Sequence, residues 1–163
     1  MRKEGENHRR MREQVIRVIN GRIKSDCRIV SAHSGQVEPS LYLDEPSRRT
    51  HLSDADILIL NDKTGRVEGV VEIKDKDIRP KDMIGIMGCT SICDRHVNPV
   101  GRCYALKDAT LYIVVPDTAM TKNGSAKKNQ IDQIVQRMPV NPESVHKYVV
   151  CSASEFARCY SEP

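Results

Sequence analysis

Ser53-Asp54-Ala55-Asp56-Ile57-Leu58-Ile59-Leu60, then Asn61-Asp62-Lys63-Thr64-Gly65-Arg66, then Val67-Glu68-Gly69-Val70-Val71-Glu72-Ile73-Lys74 run without a break through the first half of the chain. The middle stretch holds the residues that turns favour. Two apolar, β-branched runs around such a stretch predict a hairpin. Strand side chains alternate faces, so Glu72 and Lys74 point one way and Val71 and Ile73 the other. With Asn61 paired to Val67, Asp56 falls opposite Glu72, and a two-residue shift would still keep both acids on one face. Like charges facing each other destabilise a strand pair. A cation between them would relieve that repulsion. The plain alternative is a solvated hairpin face with ordinary surface charges.

Outward from the hairpin, the pattern alternates between helix and strand. Met11, Val15, Val18, Ile19 and Ile23 recur at helical spacing and predict an amphipathic helix from residue 8 to about 24. Residues 27–32 read as a first strand, and a short one is expected around Leu41-Tyr42-Leu43. Pro80 opens a helix running to Arg95. Leu111-Tyr112-Ile113-Val114-Val115 is a buried strand stopped by Pro116. A helix over 125–138, a strand over 148–151 and a short helix from Ala153 capped by Ser152 complete the chain. There is no repeat, low-complexity segment or linker that would divide it. One domain over residues 1–163 is expected, with a basic N-terminal helix.

The acids and lysine of the hairpin resemble the motif of the PD-(D/E)xK nuclease superfamily, with Asp56 as the first acid, Glu72 as the second and Lys74 as the lysine. Ala55 stands where the motif's name has proline. The resemblance covers roughly residues 8–151, and only the hairpin carries specific residues. It implies an α/β, restriction-endonuclease-like three-layer sandwich: a mixed central sheet of about five strands flanked by helices. It further implies a metal-dependent DNA endonuclease. The first helix of such folds often supplies another acid near the metal, a role that would fall to Glu13. A surface partner for Arg9, Arg10 or Arg17 is an equal reading of Glu13.

Residue chemistry fits that expectation. Cleaving an anionic phosphodiester needs charge neutralisation, an activated water and a stabilised leaving group. Hard oxygen ligands such as Asp56 and Glu72 suit Mg²⁺, with Mn²⁺ as substitute. The Ile73 carbonyl would be a further ligand, and Lys74 would stabilise developing charge or orient the attacking water. Asp54 shares a face with Asp56 and competes for the role of main ligand; Asp56 is preferred because it opens the apolar strand. Asp75, Lys76 and Asp77 read as loop charges.

Charge is unevenly distributed. Residues 1–28 carry nine Lys/Arg against four acids, within a chain of net charge +4. Such asymmetry suits phosphates, so Arg9, Arg10 and Arg12 are candidate DNA contacts. A solubilising helix face explains the charges equally well. No base-reading motif is present. With no Trp and one Phe the core must be aliphatic. No apolar run approaches the roughly 18 residues of a membrane span, and no secretion signal opens the chain, so a cytoplasmic location is expected.

Six cysteines without such a signal are expected as thiols. Cys89, Cys93, His96 and Cys103 have the chemistry of a zinc site but not a standard spacing, so structural zinc is not expected. No Ser-His-Asp ordering, glycine-rich nucleotide loop or HExxH motif is found. Two further function classes stay open: a catalytically idle module that binds nucleic acid or assembles with a larger DNA-processing complex, and a zinc-stabilised interaction protein. A homodimer would suit an enzyme that cuts two strands.

Overall fold

A computed structural model describes residues 4–32, 39–118 and 120–160; the expected charges at Arg2 and Lys3 lie outside them. In chain order the elements are α1 (Glu6–Asn20), β1 (Cys27–Ser31), β2 (Ser40–Tyr42), β3 (His51–Asp54), β4 (Ile57–Asn61), β5 (Arg66–Ile73), α2 (Pro80–Ile92), β6 (Arg95–Val97), β7 (Cys103–Val115), α3 (Ala126–Arg137), β8 (Val145–Ser152) and α4 (Phe156–Cys159). The strands form one mixed sheet of eight, more than the five expected. β1, β4 and β5 are an antiparallel meander. The connection through α2 brings β7 parallel to β5, and that through α3 brings β8 parallel to β7.

The three additional strands depend on the length of β7. Its second half, from Ala109, lies beside β8. Its first half pairs antiparallel with β6, which carries β2 and then β3. Cys103 to Lys107 alternate exposed and buried, as a strand with one solvated face should.

The buried strands divide their side chains between two helical layers. Leu58 and Leu60 of β4, with Leu111, Ile113 and Val115 of β7, pack in one cluster with Met83 and Met87 of α2 and Ile131 of α3. Ile57 and Ile59, with Tyr112 and Val114, pack in another with Met11, Val15 and Ile19 of α1 and Phe156 of α4. The architecture is therefore a mixed α/β sandwich with helices on both faces of the sheet. The expected aliphatic core holds aromatic rings on both faces: Phe156 lies edge-on to Tyr112 at 5.3 Å and stacks with Tyr160 at 5.5 Å in one cluster, and Tyr104 and Tyr148 are buried in the other. No helix among the described residues is long and apolar enough to cross a membrane.

The hairpin register differs from expectation at the turn and agrees with it further along. Asn61 Oδ1 accepts from the amides of Lys63 and Thr64. Gly65, at φ 68°, supplies the left-handed residue that closes the turn. This pairs Asn61 with Arg66 rather than Val67. A bulge at Glu68 then adds one residue, so Ile59 faces Gly69 and Ile57 faces Val71. Continued one step, that register sets Asp56 against Glu72.

Candidate active site

Asp56 sits just before β4, fixed by its own backbone: its amide donates to the Val71 carbonyl at 3.0 Å and its carbonyl accepts from Ala32 at 2.9 Å. The carboxylate is engaged on both oxygens. Oδ2 accepts from the Ile73 amide at 2.6 Å. Oδ1 lies 3.2 Å from His8 Nε2. Ile73 thus meets Asp56 through its amide.

Glu72 is 7% exposed, because the same strand that carries it is covered on both faces. Burial pushes its carboxyl up to about 7; Lys74 pulls it down, while Asp56 and then Asp54 push it further up. Lys74 Nζ is 3.5 Å from Glu72 Oε2, and its amide donates to the Val114 carbonyl. The structure thus brings Asp56, Glu72 and Lys74 to one end of the sheet. Asp54 is bound to Ser40 Oγ at 2.6 Å and His51 Nε2 at 2.8 Å. Asp77 is taken up by Thr118 and Lys127, whose hydrogen bonds hold it below the usual carboxylate range.

Glu13 does not join this group. It is exposed on α1, and five residues of helix turn it about 140° away from His8. His8 of the first helix and Glu4, just before its start, stand there instead. His8 Nδ1 lies 2.8 Å from Glu4 Oε1, and Arg12 grips Glu4 with Nε at 2.8 Å and Nη2 at 3.0 Å. A line Asp56–His8–Glu4–Arg12 results. His8 and Arg12 are four residues apart on α1 and so share one face, and Glu4 lies in the segment that leads into the helix.

Of the three candidate DNA contacts, Arg9 and Arg10 are exposed, with Arg10 Nη2 donating to Asn7 Oδ1. Arg12 is 9% exposed and committed to Glu4, the first cause that raises its pKa. It presents no open cation to a phosphate.

The four candidate zinc ligands do not converge. Cys93 is buried with Sγ against the Cys89 carbonyl, and burial pushes its thiol up to about 12. His96 is buried and its Nδ1 meets the Ser40 carbonyl at 2.9 Å. Cys103 is exposed; it pairs with Val97 while His96 pairs with Tyr104, so Cys103 and His96 point to opposite faces. Among the described residues, no group of three or more His, Cys, Asp and Glu side chains is arranged for a metal ion.

Comparison with protein-family models, curated proteins and solved structures finds no match to this chain.

Proposed function

We propose that the chain is a restriction-endonuclease-like domain that hydrolyses phosphodiester bonds in DNA with Mg²⁺. The observation that carries this reading is the burial of the Glu72 carboxylate beside a second acid, Asp56, with Lys74 within 3.5 Å. A buried carboxylate beside a second acid is costly, and two carboxylates are what Mg²⁺ takes from a protein when it keeps waters and binds substrate phosphate. The topology supports the fold: an antiparallel β1-β4-β5 meander, a crossover helix, and parallel β7 and β8.

Bound there, the metal would supply charge neutralisation at the phosphate and acidify a water. Asp56 and Glu72 would hold it, with Asp56 pre-aligned by the Ile73 amide. Lys74, a third exposed, reaches from the same face toward solvent and stabilises negative charge on the phosphoryl oxygens. Arg9 and Arg10, on the exposed face of α1, contact flanking phosphates. Cutting both strands calls for two such sites, so the reading includes a homodimer.

A second reading has its own observation. His8 and the Ile73 amide already occupy both oxygens of Asp56, and no third acidic or imidazole ligand completes the set among the described residues. An idle nuclease-fold module that binds nucleic acid, or assembles with a DNA-processing complex, would look the same. Incubation with supercoiled, linear and branched DNA, with and without Mg²⁺ or Mn²⁺, separates the two. The nuclease reading expects metal-dependent cuts in at least one form; binding with no cut in any form selects the second.

A further inference from the structure

Beyond Asp54, the β2–β3 hairpin folds a small lobe that the Asp56–Glu72 site does not use. It borders an open cleft of about 450 Å³, lined by Ser40, Tyr42, Ser47, Arg48, His51 and Asp54 among others, within the size range of small-ligand sites. Hydrogen bonds fix its wall. Ser47 N donates to Thr50 Oγ1, Thr50 Oγ1 donates to the Glu45 carbonyl, and Leu43 N donates to the Thr50 carbonyl. Arg95 anchors the turn through Glu45.

The pocket lining carries two opposite charges. Asp54 accepts from Ser40 Oγ and pairs with His51 Nε2, both through Oδ1, and is about half exposed. Arg48 is exposed and has no hydrogen bond or ion pair among the described residues. The rings of Tyr42 and His51 belong to the same lining, with centroids 5.6 Å apart and planes tilted by 54°. The Tyr42 hydroxyl also has no partner among the described residues. Aromatic wall, free guanidinium and acceptor carboxylate match the three parts of a nucleotide: a π face, a phosphate and the donor edge of a base. The charges set its direction, because Asp54 repels phosphate and Arg48 attracts it.

A base within a duplex has both faces covered by its neighbours, so an aromatic wall inside a pocket can stack only on an unpaired or extruded base. We propose that the β2–β3 pocket binds one unpaired nucleotide of the DNA strand, its base against Tyr42 and His51 and its phosphate on Arg48. The proposal deepens the nuclease reading, on which its place beside the cleaved bond rests, and assigns the substrate a single-stranded or distorted segment. Binding can be read apart from cutting.

Fluorescence anisotropy in EDTA, with a labelled oligonucleotide of about twelve nucleotides as single strand and as duplex, provides the test. The single strand binds the wild type more tightly than the duplex does. Tyr42→Ala weakens single-strand binding by about tenfold, in line with the loss of one base–aromatic stack, and Tyr42→Phe retains it. Arg48→Ala, in an exposed turn outside the hydrogen-bonded wall, weakens binding and lowers the salt slope by about one. Equal affinity for both forms, or single-strand binding that neither Tyr42→Ala nor Arg48→Ala alters, overturns the pocket assignment. Absence of DNA cleavage in a parallel Mg²⁺ assay bears on the nuclease reading alone, because the anisotropy is measured without metal.

Discussion

The Ile73 amide donates to Asp56 Oδ2 at 2.6 Å. This one bond ties the acid that precedes β4 to the strand that carries Glu72 and Lys74. The acid pair is therefore held by backbone, and its geometry does not depend on the side chain of residue 73.

Asp56→Asn keeps an oxygen for the Ile73 amide but removes the charge. It should fold as the wild type does and show no metal-dependent cleavage. Asp56→Ala leaves that amide unsatisfied and should lose on the order of 1–3 kcal/mol as well as activity. Urea denaturation of both variants checks the split. Equal stability of the two would mean the bond contributes nothing.

Glu72 makes the metal-free protein less stable as pH rises. Its folded carboxyl is raised to about 7 from the ordinary 4.5, chiefly by burial. Folding therefore favours the protonated form. This contribution is fully present below pH 4.5 and is lost as pH climbs through about 7, with a difference on the order of 3 kcal/mol. Glu72→Gln should remove that slope and be the more stable protein at pH 8. Parallel stability–pH profiles for wild type and variant between pH 5 and 8 would contradict the assigned environment.

Arginine substitutions on α1 should divide into two kinds. Arg9→Glu with Arg10→Glu leaves stability near that of the wild type, weakens DNA binding for all sequences alike, and flattens the salt slope by about two. Arg12→Ala strips a largely buried Glu4 of its guanidinium and should reduce stability by roughly 1–3 kcal/mol. Denaturation and salt-dependent binding on the same samples distinguish the two. An Arg12 variant with native stability and reduced DNA affinity would return Arg12 to the surface role that its sequence suggested.

Gly69 is required by the hairpin's packing. A Cβ there would stand 2.8 Å from Ile59 Cδ1 and 3.3 Å from Ile59 Cγ1, so the buried Ile59 side chain would have to shift within the core. Gly69→Ala should lower stability by about 1–3 kcal/mol. A change within a few tenths in urea titration would show that Ile59 yields freely.

The hairpin and its acids were legible in the sequence because period-2 alternation and a polar turn are local signals. The pairing expected at the turn was one residue off, and the bulge at Glu68 restored the facing of Asp56 and Glu72. That bulge has no sequence signature beyond Gly69. The strands His51–Asp54 and Arg95–Val97 were not legible. They are too short and polar for periodicity, and form because the first half of β7 offers them an edge. On α1 the side chain beside Asp56 is His8 while Glu13 is exposed, and Glu4, just before the helix, links His8 to Arg12. Ion-pair partners chosen by helix docking depend on tertiary placement, which one helix's sequence does not contain. The burial of Arg12 escaped for the same reason.

The most direct test of the central claim compares wild type, Glu72→Gln and Lys74→Ala on the same DNA at pH 8 with Mg²⁺ and with EDTA. The wild type should cleave in Mg²⁺ alone and neither variant should cleave, all three retaining the native circular dichroism spectrum. Full cleavage by purified, folded Glu72→Gln would contradict the claim.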